Sequence, residues 1–160
     1  MINYEQFDLG DVTLLSGKIL RSAKLAYKTY GTLNAKCDNV ILLPTFYTGT
    51  HKRNEGFFGA SRAINPEQHF IVSINMFGNG FSSSPSNTHV PQDGSRFPLV
   101  TIRDNVACQY RLLIEHLGVK RIALVVGWSM AGCQAYQWAV QYPDIVNAIL
   151  PFCSSAKTSS

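Results

Sequence analysis

Apolar residues along this chain follow two different periods. Four short runs are mainly apolar throughout: "NVILLP" at 39–44, "HFIVSIN" at 69–75, "RIALVVG" at 121–127 and "IVNAILPF" at 145–152. Runs of this length between turn residues predict strands buried on both faces of a sheet. Between them the period lengthens. Ile102, Val106, Tyr110, Leu113, Ile114 and Leu117 recur at helical spacing. Thr101 and Asp104 form a capping-box variant before them, and Gly118 is the expected C-terminal stop. Ala131, Ala135, Trp138, Ala139 and Tyr142 share one face of a second helix, which Pro143 ends. A short helix is also expected within 55–64. The first 35 residues alternate instead. "DVTLLSGKIL" and "KLAYKTYGTL" read as antiparallel strand pieces, broken at Gly17 and Gly31.

Apolar strands alternating with helices imply an α/β domain with a mostly parallel sheet, here preceded by antiparallel N-terminal strands. Residues 1–160 read as part of one such domain. The stretch 76–98 has no period and is rich in Gly, Ser, Asn and Pro. Long loops of this kind are expected to be functional or disordered.

Composition narrows the class. The chain has 160 residues, 46% of them hydrophobic, and a net charge of +4. That fits a packed globular protein. Lys and Arg are scattered, with only "HKR" at 51–53 and "VKR" at 119–121 clustered, too thin for a nucleic-acid footprint. The N-terminus is not a signal peptide, and no run has membrane-spanning length. A cytoplasmic protein is the expectation. Cys37, Cys108, Cys133 and Cys153 form no CxxC pair and no zinc-ligand spacing, so they are expected to be buried free thiols, with no metal.

Three glycine motifs carry candidate chemistry. "GWSMAGCQ" has the outer glycines of a phosphate-binding P-loop, but Cys133 and Gln134 stand where Lys and Ser or Thr are needed. "GNGFSS" at 78–83 lacks the third glycine of a dinucleotide fingerprint and opens no helix. The third is a nucleophile elbow, G-x-S-x-G, read here as Gly127-Trp128-Ser129-Met130-Ala131, followed by Gly132. A serine on a sharp strand-to-helix turn projects its hydroxyl from the sheet edge. Its neighbours must be small where the two backbones approach. The following helix aims its N–H groups at developing negative charge. Ser129 is therefore the candidate nucleophile. The backbone N–H of Met130 is the first oxyanion donor. The second comes from the "TFYTGTH" loop after "NVILLP", through Tyr47 or, as the lesser choice, Phe46.

The chain resembles the homoserine O-acetyltransferase family of α/β-hydrolase-fold proteins. The resemblance runs from about residue 12 to the end. It is carried by "FGNGFSSSPSN", "FPLVTIRDNVACQYRLLIEHLGV" and "LVVGWSMAGCQAYQWAVQYPD", with "FCSSAKTSS" after the next strand. "GWSMAG" stands where that family has Gly-Gly-Ser-Met-Gly, and "PTFYTGT" where it has "HALTG", which marks a divergent, hydrolase-like branch. The resemblance implies a ping-pong reaction without a cofactor. An acyl group, with acyl-CoA as candidate co-substrate, passes through Ser129 to an alcohol acceptor. In a general esterase it passes to water. The partners expected are small molecules, and neither nucleic acid nor membrane; a homodimer is compatible.

A triad in chain order Ser, Asp or Glu, His needs a histidine after Ser129, and none of His51, His69, His89 and His116 lies there. His51 is the one near the oxyanion loop. His69 precedes a strand, His89 is in a loop, His116 is expected on a solvated helix face, and Asp144 in a turn. The expectation is an N-terminal portion of an α/β-hydrolase domain, truncated after the strand that follows the nucleophile helix. That strand would then be an exposed edge, and the isolated chain poorly soluble or inactive. An inactive fragment is the non-catalytic alternative, and a nicotinamide dehydrogenase a distant one.

Overall fold

A computed structural model describes residues 3–157. Two long strands open it, β1 (Glu5–Thr13) and β2 (Ile19–Tyr30), paired antiparallel. "DVTLLSGKIL" is broken at Gly17, as its sequence implied. Its centre is the turn Leu14–Lys18, closed by Leu14 N donating to Lys18 O at 2.8 Å, with Gly17 at φ 78. That left-handed conformation costs glycine nothing. β1 also begins earlier than the alternation suggested.

Next come β3 (Val40–Pro44), β4 (Phe70–Ile74), β5 (Ile122–Trp128) and β6 (Ile149–Phe152). The sheet order is β1-β2-β4-β3-β5-β6, antiparallel up to β4 and parallel from there on. Every residue of β3 and β4 is buried, as their apolar runs required, and the one polar residue in them, Ser73, accepts from Asn54 Nδ2. Alternate side chains serve opposite faces. Val40, Leu42, Val72 and Ile74 join the large core under the long helices, while Ile41, Leu43 and Ile71 join a smaller core with Val126. The run at 145–152 pairs as a ladder only over β6; before it there is a lone bridge from Val146 to Ile122. β6 is the last strand of the sheet, and Leu150 is 52% exposed.

The helices are α1 (His51–Asn54), a single turn continued as a 3-10 turn over Glu55–Phe57; α2 (Ile102–Tyr110); and α3 (Met130–Gln141). The helix expected within 55–64 is therefore earlier and shorter. The α2 capping box is formed: Thr101 Oγ1 accepts from Asp104 N, and Thr101 N donates to Asp104 Oδ2 at 2.8 Å. Asp104 Oδ1 also accepts from Leu15 N at 2.7 Å, tying the helix start to the hairpin. Residues Arg111–His116 continue α2 as a π-helix, and the wider turn lets the sequence neighbours Leu112 and Leu113 both face the core. Gly118, at φ 69, ends it.

The segment 76–98 is an ordered strap rather than a loose loop. It runs along β2 beyond the end of β4 and supplies the hydrogen bonds that β4 no longer gives. Ser82 Oγ accepts from Ala26 N at 2.8 Å, and Ser83 Oγ from Lys24 N at 2.9 Å. Gln92 reaches both Arg21 N and Ile19 O with its side-chain amide.

Among the described residues no helix is long and apolar enough to cross a membrane. The four cysteines are free, but only Cys108 is buried. Cys37 and Cys133 are half-buried and Cys153 is exposed, because they sit in turns or on helix flanks rather than in the strand interiors.

Candidate active site

β5 ends at Trp128, α3 begins at Met130, and Ser129 alone makes the turn between them. Its backbone stands at φ 55, ψ −124, a region that costs a non-glycine residue about 1–3 kcal/mol. The surroundings hold it there. Ser129 N donates to Phe152 O at 3.0 Å, and Ser129 O accepts from Gly132 N at 2.9 Å. The crowd of small residues has a measurable cause. A Cβ on Gly127 would stand 2.2 Å from the carbonyl oxygen of Ala131, and one on Gly132 would stand 2.5 Å from the Cβ of Ser154. Ala131 itself is buried and fits. Among the described residues Ser129 Oγ makes no hydrogen bond, so the hydroxyl is uncommitted.

β3 is the parallel neighbour of β5, so the loop that leaves β3 lies beside the elbow. The rings of Phe46 and Trp128 meet edge to face, with centroids 4.6 Å apart. The loop is anchored at its start. Thr45 is fully buried, Thr45 N donates to Ile74 O at 3.0 Å, and Thr45 O accepts from Gln134 Nε2 at 2.8 Å. A turn follows, closed by Gly49 N donating to Phe46 O, with Thr48 in left-handed backbone at φ 61. Tyr47 forms the tip and is 73% exposed. Among the described residues the N–H groups of Phe46, Tyr47 and Met130 donate to nothing, so all three stay available as donors beside Ser129. The fold sets the turn that carries Phe46 and Tyr47 at the end of the strand paired with β5, next to the elbow.

The histidines are not part of this arrangement; none hydrogen-bonds Ser129 among the described residues. His51 is not in an open loop, as expected, but fully buried in the first turn of α1. Asn75 Oδ1 accepts from His51 N at 3.2 Å and from Asn79 Nδ2 at 2.9 Å, while Asn75 Nδ2 donates to Ala26 O. These bonds fix the amide orientation, so Asn75 Nδ2 donates to His51 Nδ1 at 3.1 Å and the neutral ring carries its proton on Nε2. Nε2 is buried and has no partner among the described residues. Burial, the dominant cause, lowers the pKa of His51 below its ordinary value, opposed by the Asn75 bond. His69 folds its ring back on Asn65. His89 is exposed in the strap. His116 is exposed as expected, yet engaged: it stacks on Phe7 and stands 3.2 Å from Tyr27 Oη. Asp144 is exposed in the turn after α3.

Sequence reasoning missed the buried amides behind the site. Trp138 Nε1 donates to Gln109 Oε1 at 2.9 Å, Gln109 Nε2 to Gln134 Oε1 at 2.7 Å, and Gln134 Nε2 to Thr45 O. This relay joins α2 and α3 to the loop beside Ser129. Its signal was available: Gln134 lies among Ala131, Ala135 and Trp138 on the apolar face of α3, where an amide must find partners. Asn54 does similar work, donating to Leu43 O, Pro44 O and Ser73 Oγ under the ends of β3 and β4. Among the described residues no group of three or more His, Cys, Asp or Glu side chains is placed to hold a metal ion.

Residues 38–155 match the model of the alpha/beta hydrolase fold family. The chain belongs to that family. It is 41% identical over 157 residues to the ethyl acetate hydrolase of Pseudomonas veronii, covering 98% of this chain and 45% of that protein. It is 37% identical over 154 residues to the homoserine O-acetyltransferase of Trichormus variabilis, covering 92% of this chain and 43% of that one. The crystal structure of an acetylester hydrolase from Corynebacterium glutamicum superposes with a TM-score of 0.94 at 41% identity, covering 98% of this chain and 45% of that one. The chain thus spans less than half the length of these relatives. The resemblance read from the motifs stands, and esterases are similar to the chain as well.

Proposed function

We propose that Ser129 is the nucleophile of an acyl-transfer reaction on small acyl esters. The observation that carries this is the elbow itself: an uncommitted serine hydroxyl on a strained strand-to-helix turn, beside three free backbone N–H groups. Ser129 Oγ attacks the ester carbonyl as its proton passes to a general base. The carbonyl oxygen becomes an oxyanion held by the N–H groups of Met130 and of Tyr47 or Phe46. Its collapse expels the alcohol, which takes the proton, and leaves an acyl-enzyme. Water or an alcohol then takes the acyl group and restores Ser129. Among the described residues no histidine hydrogen-bonds the serine. None of the four histidines is therefore assigned as that base.

Hydrolysis of a short acyl ester is the favoured outcome. Trp128 and Phe46 put two packed rings at the elbow, which narrows the space for a bulky acceptor, and relatives at 41% identity are named for ester hydrolysis. Transfer from acyl-CoA to the homoserine hydroxyl is the second reading, supported by the similarity to homoserine O-acetyltransferases. The test is fluorophosphonate labelling and turnover in the intact gene product, with p-nitrophenyl acetate set against acetyl-CoA plus homoserine. Labelling at Ser129, lost in Ser129→Ala, is expected, together with turnover of the ester. An unlabelled intact product overturns the serine mechanism; turnover of acetyl-CoA with homoserine alone selects transfer.

A further inference from the structure

β4 stops at Ile74, opposite Tyr27, while β2 continues past it through Ala26 and Lys24. The start of β2 therefore rises on the edge of the sheet where β3, β4 and β5 end, the edge that also carries Ser129. The strap folds back along it. Between strap and hairpin lies a cavity of about 410 Å³ that has no part in the acyl chemistry above. Arg21, Lys24, Phe81, Ser83, Thr88 and His89 line it, and no acidic residue does.

Three features set this cavity apart from ordinary charged surface. The first is unspent charge. Among the described residues neither the Arg21 guanidinium nor the Lys24 ammonium makes a hydrogen bond or an ion pair. Asp8 faces Lys24 across the strands and accepts from Gly10 N, and Asp11 accepts from Ser22 N; neither carboxylate stands within ion-pair distance of Arg21 or Lys24 among the described residues. The second is rigidity. Gln92 is clamped to β2, Thr88 Oγ1 bonds the carbonyls of Ser84 and Gln92, and Asn87 holds those of Gly80 and Ser82. A ligand would meet walls already in place, which removes an ordering cost. The third is mixed chemistry. Ser83 Oγ accepts from Lys24 N but donates to nothing among the described residues, and the Phe81 ring offers an apolar surface.

We propose that this cavity is a second ligand site, for a small molecule bearing a phosphate group. The phosphate sits between Arg21 and Lys24 and accepts from the Ser83 hydroxyl, with its carbon skeleton against Phe81. Two sources share this chemistry: free phosphate compounds, and the phosphorylated tail of an acyl donor such as acyl-CoA. β2 and β5 are three strand spacings apart, about 14 Å, a span that the flexible arm of an acyl-CoA covers. The anion site stands without the serine chemistry; only its assignment to a donor rests on the acyl-transfer reading.

Calorimetric titration at low salt, with inorganic phosphate, 3′,5′-ADP and CoA as probes, tests this. The proteins are wild type, Ser129→Ala and the double variant Arg21→Ala, Lys24→Ala, each checked by urea unfolding. Wild type and Ser129→Ala are expected to bind phosphate alike. The double variant should bind at least tenfold more weakly at an unchanged unfolding midpoint, and added salt should weaken binding. CoA binding at least tenfold tighter than phosphate, and lost with it, identifies a donor tail. Equal binding identifies a free anion. Failure of all three probes to bind at millimolar concentration overturns the site, as does equal binding by the double variant. Should that variant not fold, Lys24→Met keeps most of the stem length and removes the charge, and unchanged phosphate affinity there overturns the proposal equally. Labelling of Ser129 is read separately, so either reading can fall without the other.

Discussion

Gln109 and Gln134 give up almost all their exposure to water to pass one chain of hydrogen bonds from Trp138 Nε1 to Thr45 O. Replacing Gln134 by Leu keeps the volume and orphans two groups, Gln109 Nε2 and Thr45 O. Replacing Gln109 by Leu orphans Trp138 Nε1 and Gln134 Oε1. An unsatisfied buried group costs about 1–3 kcal/mol, so each single variant should lose about 2–6 kcal/mol. The double variant also orphans only two groups, Trp138 Nε1 and Thr45 O. Its loss should match one single variant, not the sum of about 4–12 kcal/mol, which would remove most of an ordinary domain's stability. The coupling is thus about as large as either single effect. Urea unfolding of the four proteins measures it, with the slope checked for constancy so that midpoints report stability. A double variant as damaged as the sum of the singles would refute the relay. So would either single variant within about 0.5 kcal/mol of wild type, the range of an ordinary surface change.

Further expectations concern strain, pH and thiol chemistry. Ser129→Gly should raise stability by about 1 kcal/mol, because glycine adopts φ 55 without cost, while removing fluorophosphonate labelling of the intact product; a loss of stability shows that the turn is not strained. His51 is held neutral, with a folded pKa below its ordinary 6.5. The unfolded chain therefore takes up a proton first, and stability should fall as pH drops below about 6.5, then level off below the folded pKa. His51→Gln should flatten that slope in urea midpoints taken from pH 7.5 to 5, and an unchanged slope assigns it elsewhere. Burial pushes the Cys108 thiol up to about 12, whereas Cys153 is exposed. An aromatic disulfide reagent at pH 8 should modify Cys153 within minutes and Cys108 only after unfolding; protection of Cys153 contradicts the surface position.

The elbow was legible because its requirements are local. A strand, a single sharply turned serine and a helix follow one another directly from Ile122 to Gln141, and Gly127 is needed by a backbone four residues away. The buried strands were legible for a similar reason, since full burial on two faces leaves few polar positions to break the run, and Ser73 is the one within β3 and β4. Other features follow contacts between distant segments. His51 looked like a loop residue because nothing near it in sequence shows that Asn75, 24 positions on, receives its ring. The strap read only as a long loop, functional or disordered, because its partners are the backbone groups of β2, some 60 to 70 residues earlier.

Sequence alone determined the alternation of strand and helix, the turn that presents Ser129 and the smallness of its neighbours, for these depend on backbone geometry within a few residues. Tertiary structure decided which loop stands beside the serine, which amides anchor that loop and where unspent positive charge gathers. Strand order sets those, and it follows from how the chain's apolar faces pack together rather than from any short stretch. It places β3 next to β5, so that the turn at Phe46–Gly49 meets the elbow across one strand spacing.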